Sequence, residues 1–166
     1  VLWKKGSNAD FFVVRVGGDG TGASSGRYRF VNNTILSGSS AVFRVFDAIE
    51  SLEMHNNVIV RPGEGAPQVW RTVEADWVSG AEVVAGEDNW LESDATGVPG
   101  QWSGTASGAD PGFADLPTGD LRPVAGSPLV DAAAGAPASP VGHPFPDPLF
   151  PPDHEPGSRS KGPQAF

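Results

Sequence analysis

Phe30-Val31-Asn32-Asn33-Thr34-Ile35-Leu36 is followed later in the chain by Met54-His55-Asn56-Asn57-Val58-Ile59-Val60. An apolar strand, a paired Asn and a second apolar strand recur as a unit, and such recurrence is the mark of a sheet that coils upon itself. A looser third pass, Val83-Val84 and then Glu87-Asp88-Asn89-Trp90-Leu91, keeps one Asn, Asn89. Asn33 and Asn57 are 24 residues apart and Asn57 and Asn89 are 32 apart, within the range of one solenoid coil with a variable loop. Coils stacked at about 4.8 Å would place the three asparagines above one another, each side-chain amide donating to the next, so Asn33, Asn57 and Asn89 are expected to form a structural ladder.

Outward from this repeat, further short runs read as strands. Arg27 to Leu36 has the period of two that a strand requires, and Phe11 to Val16, Ala41 to Phe46 and Gln68 to Val73 are rich in β-branched and aromatic residues. The expected fold is all-β, a right-handed parallel β-helix of about three rungs. Nine of the sixteen prolines lie from Pro137 onward, so residues 1–134 read as the folded body with its closing segment and 135–166 as a Pro-rich extended tail.

Composition bounds the function. The chain has 166 residues, enough for one domain, and 11 Lys and Arg against 20 Asp and Glu give a net charge of −9, which opposes binding to nucleic acid or to an anionic membrane. With no Cys, disulfides, thiolate zinc sites and thiol nucleophiles are excluded. No run reaches the ~20 apolar residues of a membrane span, and the start VLWKKG lacks a signal-peptide core. Gly22 to Gly26 satisfies GxSxG, and Gly18-Asp19-Gly20 is a fragment of a dinucleotide fingerprint. Both precede a strand where those motifs need a helix, so both read as turns.

The NNTI and NNVI elements and the late GEDNWL resemble right-handed parallel β-helix repeat proteins of the pectin-lyase-like class. The stretch from Asp110 to Ala132, with its DPGF start, GDLRP middle and GSPLVDA finish, is similar to the closing segment of many such bacterial proteins. The resemblance spans about residues 8–134, and implies a segment from Asp110 to Ala134 folded over the C-terminal end of the coil. It also implies an extracellular or cell-surface location and a polysaccharide ligand, while the architecture itself hosts lyases, hydrolases, epimerases and inert stalks.

The candidate binding feature is a column of arginines. Arg15 in VVRV, Arg44 in VFRV and Arg71 in VWRT occupy one place in successive strands and are expected to point outward at rung spacing, where they suit the carboxylate or sulfate groups of an acidic polysaccharide. The plain alternative is neutralisation within the protein by Asp47, Glu50, Glu74 or Asp76. Arg29 above Glu53 reads as a cross-rung ion pair on another outward face, with His55 beside it, either facing solvent or serving as a general base with Glu53 and Arg29 as partners. Trp70 and Trp90 fall in strands and are expected in the core, whereas Trp77 and Trp102 fall in loops and are the aromatic candidates for stacking on sugar rings.

Lyase action is the enzymatic version of this reading, but no complete catalytic constellation is evident. No cofactor is expected. Calcium, which would neutralise a uronate, has no motif to hold it, because Gly22 stands where a calcium nonapeptide needs Asp. His143, Asp147, Asp153 and His154 fall in a Pro-rich segment without geometry for a metal site. A reading from another class follows from stability. About three rungs bury little area, and this chain would then be either a piece of a longer coil or a structural subunit that associates with another protein chain through its exposed N-terminal rung, around Phe11 to Val16.

Overall fold

The computed structural model describes residues 1–4, 12–18, 26–38, 41–46, 48–63, 65–74, 76–133 and 137–145. Four two-residue turns set its architecture. Asn32-Asn33 joins β3 (Arg27–Val31) to β4 (Thr34–Ser37), and Asn56-Asn57 joins β6 (Ser51–His55) to β7 (Val58–Val60). Asp88-Asn89 joins β9 (Val84–Glu87) to β10 (Trp90–Glu92), and Gly104-Thr105 joins β11 (Trp102–Ser103) to β12 (Ala106–Gly108). The first residue of each turn is left-handed, with φ of 57°, 55°, 52° and 62° in chain order. Asn, Asp and Gly are the residues that enter this region most readily, so the repeated Asn and its Asp and Gly replacements share one backbone cause.

The remaining strands are β1 (Leu2–Lys4), β2 (Phe12–Val16), β5 (Ala41–Val45), β8 (Gln68–Thr72), β13 (Phe113–Asp115) and β14 (Asp120–Pro123). Three sheets are parallel throughout, in the orders β1-β4-β7-β10-β12, β11-β9-β6-β3 and β2-β5-β8, while β13 and β14 form an antiparallel hairpin. All regular structure among the described residues is β, with strands stacked as in a β-solenoid. Short β1 and the fourth pass through β11 and β12 lack the Asn signal and were not expected.

Side chains alternate across each sheet. Ile35, Ile59 and Leu91 stack in register and join Leu52, Met54, Phe43, Val45 and Val16 in the main core, where Phe30 meets Phe43 edge-on at 4.9 Å between ring centroids. Leu36, Val60 and Trp90 belong to a second buried cluster. Their neighbours in sequence, Ile35, Ile59 and Leu91, face the main core, so these three lie on the sheet's other side. That face is also apolar and needs a cover.

The cover is the segment from Asp110 onward. Phe113, Leu116, Leu121 and Leu129 pack against Leu36, Val60 and Trp90, each such burial being worth about 1.5–3 kcal/mol when complete. Gly119 in the β13–β14 turn lies so close to Trp3 of β1 that a β-carbon there would stand 2.9 Å from Cζ3. The expected position of this segment, over the C-terminal end of the coil, is therefore corrected. It runs along the side of the β7 sheet, back to the first strand, because an apolar outer face attracts it there. Its first and last motifs meet where Ser127 Oγ donates to the Pro111 carbonyl at 2.6 Å, and within the first the Asp110 carboxylate accepts the Gly112 N–H at 2.7 Å.

Candidate functional site

Among the described residues, the C-terminal chain covers the outer faces of two of the three parallel sheets. The hairpin covers the β7 sheet, and Pro137 to Phe145 touches the β6 sheet. The β5 sheet carries the arginines. Parallel pairing sets Arg15 against Arg44 and Arg44 against Arg71, because each strand contributes Arg at one register position flanked by apolar residues. Arg15 and Arg71 are exposed and Arg44 is half-buried.

Aromatic rings brace part of this column. The Arg15 guanidinium lies 4.1 Å from the Phe46 ring centroid and donates from Nε to the Gly17 carbonyl at 3.3 Å. That of Arg44 lies 5.4 Å from Phe12 and 6.0 Å from Phe46. Such contacts hold the charge in place while leaving its edge free to donate. Of the carboxylates considered as neutralisers, Glu50 is engaged by Arg27 Nε at 3.1 Å, Glu74 and Asp76 are exposed, and Asp47 lies outside the described residues. Among the described residues neither Arg15 nor Arg71 forms an ion pair.

A cleft of about 410 Å³ continues from Arg71. Gln68, Trp70 and Thr72 of β8 form one wall, and Glu82 and Gly97 to Gln101 form the other. Trp70 is buried and donates its indole N–H to Thr72 Oγ1 at 2.8 Å, while Gln101 donates to the Glu82 carboxylate at 3.2 Å. The cleft therefore offers a cation, a carboxylate and amides within one polar lining, the inventory that sugar hydroxyls and carboxylates use. Sequence reasoning missed Gln68, Glu82 and Gln101, which lie in no motif and meet only because the coil brings the loops around residues 82 and 100 beside β8.

The other candidates are placed differently from expectation. Trp77 is 8% exposed and belongs to the main core, bridged to Ile49. Trp102 is half-buried on β11, where its indole covers Gly86; a β-carbon on Gly86 would fall 2.4 Å from Cδ1. Neither is a freely exposed loop aromatic, since Trp77 belongs to the main core and Trp102 packs against it. Trp90 is buried as expected, though in the hairpin-covered cluster.

Glu53 and His55 point outward from the β6 sheet as expected, opposite to Leu52 and Met54, but both are fully buried, which corrects the expected solvent-facing position of His55. Arg29 Nε approaches Glu53 Oε1 at 3.2 Å, and His55 lies 3.8 Å from Glu53 and 4.0 Å from Glu87. The residues share one sheet face, as their spacing required, but the C-terminal chain lies over it. His143 lies within that cover, and Asp147, Asp153 and His154 are outside the described residues. Among the described residues no His, Asp and Glu group is arranged to hold a metal ion.

The asparagines form a continuous chain. Asn33 Nδ2 donates to Asn57 Oδ1 at 3.2 Å and Asn57 Nδ2 to Asn89 Oδ1 at 3.0 Å, while the backbone N–H of Asn33 and of Asn57 each joins the same acceptor. At the fourth turn Thr105 replaces Asn, and the ladder stops. Comparison with family models, with curated proteins and with solved structures finds no match to this chain.

Proposed function

We propose that this chain is a right-handed parallel β-helix module of the pectin-lyase-like class, of about three to four rungs, that binds an acidic polysaccharide at the cell surface or outside the cell. The observation carrying this reading is the in-register column of Arg15, Arg44 and Arg71, the first two braced by aromatic rings, on a molecule whose net charge is −9. An acidic protein that keeps cations in line on one face concentrates attraction there for a polyanion with a similar repeat, and guanidinium is the group suited to carboxylate and sulfate. The cleft beside Arg71 supplies polar partners for the hydroxyl groups of a sugar unit at one end of the column. Binding, not turnover, is the activity proposed.

The test is affinity electrophoresis of the purified chain in gels containing a polyuronate, a sulfated glycan or a neutral glucan. Retardation by a charged glycan that diminishes with salt, without retardation by the neutral one, is the expected result. Equal mobility in all three gels at low ionic strength removes the proposal. A second reading, assembly through the N-terminal rung, is favoured by β1, β2 and β3 all being end strands on the same side of their sheets. Its premise of a closed opposite end is weakened by the hairpin's position on the side of the coil. Light scattering of the chain and of Val14→Lys separates the two: a monomer of unchanged size rejects assembly and leaves glycan binding untouched.

A further inference from the structure

The face of the β6 sheet is built from polar groups that the arginine column does not use. Glu53 lies between Arg29 and His55, and Glu87 lies beyond His55. Over them runs the segment Pro137 to Phe145, which contributes no strand. Arg29 Nη2 donates to the carbonyls of His143 and Pro144 at 3.3 and 2.8 Å, and Glu87 accepts the Ala138 N–H at 2.8 Å. The Phe145 ring sits between the Arg29 guanidinium, 5.2 Å from its centroid, and the His55 ring, 5.4 Å away and edge-on. Between these anchor points the chain turns at Pro140 to His143, with Gly142 at φ 80° and the His143 N–H donating to the Pro140 carbonyl at 3.0 Å. Gly at that position is what such a turn requires.

The two covers of the coil are unlike. Beneath the hairpin the floor is apolar and the contact is side chain on side chain. Beneath Pro137 to Phe145 the floor reads main-chain groups and one aromatic ring, and it is incompletely satisfied. Arg29 Nε and Glu53 Oε1 meet as an ion pair at 3.2 Å, but the other Glu53 oxygen and both His55 nitrogens are buried without a hydrogen-bond partner among the described residues. A cover serving stability alone would satisfy such groups or replace them with apolar ones, since orphaned buried polar atoms are costly. A segment held by a few main-chain bonds and one ring is also drawn from the easily opened part of a structure.

We propose that the outer face of the β6 sheet is a peptide-acceptor site, filled in this chain by its own Pro137 to Phe145. Its ligand is a Pro- and Gly-containing turn peptide. Such a peptide offers two consecutive carbonyls to Arg29, an N–H to Glu87 and a Phe ring to the space between Arg29 and His55. Pro lowers the entropy lost when a peptide of this kind is captured, and the aromatic ring acts as its anchor. The site lies on a different sheet from the arginine column and does not depend on the glycan reading.

The experiment uses the full chain and its Phe145→Ala variant, with diethyl pyrocarbonate labelling of His55 followed by mass spectrometry. In the parent protein His55 is protected; in the variant its labelling accelerates about tenfold as the segment opens, with an unchanged β circular-dichroism spectrum and midpoint of thermal unfolding. Added synthetic peptide PASPVGHPF restores protection saturably, and PASPVGHPA does not. Continued protection of His55 in the variant, or failure of the Phe-containing peptide to restore it, overturns the proposal. Cooperative unfolding of the variant assigns the segment to the structural core and does the same, provided Phe145→Leu, which keeps apolar bulk but not the aromatic face, unfolds likewise.

Discussion

Asn57 donates its side-chain amide to Asn89 Oδ1 at 3.0 Å while its own Oδ1 accepts from both the backbone and side-chain N–H of Asn33. The second hydrogen of that amide goes to the Phe30 carbonyl at 2.8 Å. One buried side chain thus ties three successive turns together, using both donor hydrogens and the carbonyl oxygen.

Replacing Asn57 with Ala leaves the Asn33 donors and the Phe30 carbonyl without their partner, at an expected cost of about 2–4 kcal/mol. Asn33→Ala is expected to cost less, because Asn33 is half-buried and ends the described ladder. Asn57→Asp keeps the shape but sets a carboxylate against two acceptors, and should be at least as damaging as Ala. Urea unfolding of the three variants checks the order.

The β-carbon of an alanine at Gly86 would stand 2.4 Å from Trp102 Cδ1. Gly86→Ala must therefore push the indole off the coil, an overpacking expected to cost about 1–3 kcal/mol. In a Trp102→Leu background the same change should cost much less, since the two residues are in contact and their effects are not additive. Additive losses in denaturant midpoints would show that Trp102 does not rest on Gly86.

The ladder was legible because its cause is local: Asn recurs where the backbone turns left-handed and where an amide can bridge coils. Gly104-Thr105 meets the same backbone demand with different side chains, and the fourth pass was hidden for that reason. The arginine register was legible from flanking residues alone. What was not legible is which faces are covered. Arg29, Glu53 and His55 look like a solvated outward column in sequence, and only the path of residues 137–145 buries two of them fully. The hairpin's position follows from the apolar outer face of Leu36, Val60 and Trp90. That face carries a signal in hindsight, because those strands are apolar at consecutive positions where a half-exposed strand would alternate.

In the hairpin, the Arg122 guanidinium beside Asp120, with the Arg122 backbone N–H, holds the Asp120 carboxyl down at about 2. The folded value lies below the ordinary one, so this pair's contribution to stability is present above the usual carboxylate range and disappears as the pH falls towards about 2. Arg122 is 82% exposed, and the effect on stability is correspondingly small. Arg122→Gln should raise the Asp120 titration midpoint towards, but not fully to, the ordinary value near 3.9, because the backbone N–H of residue 122 remains. Carboxyl-carbon NMR across pH 1–6 reads it directly, and an unmoved midpoint would show that Arg122 is not the cause.

Within the arginine column, Arg71 and Arg15 should differ in what they lose. Arg15 is held by Phe46 and by the Gly17 carbonyl, whereas Arg71 lies at the mouth of the polar cleft without an ion-pair partner among the described residues. Arg71→Ala should weaken binding to an acidic glycan about three- to tenfold and make the dependence on salt shallower, since one exposed charge leaves the contact. Arg71→Lys keeps the charge but not the planar fork, so the salt dependence should remain while part of the affinity is lost. Arg15→Lys should lose more than Arg71→Lys, because the stacked guanidinium is oriented before the ligand arrives and an ammonium on a flexible stem is not. Titrations at three ionic strengths separate charge from orientation. Loss of affinity by Arg71→Ala with an unchanged salt slope would mean that the residue supports the cleft's shape and does not meet the polyanion.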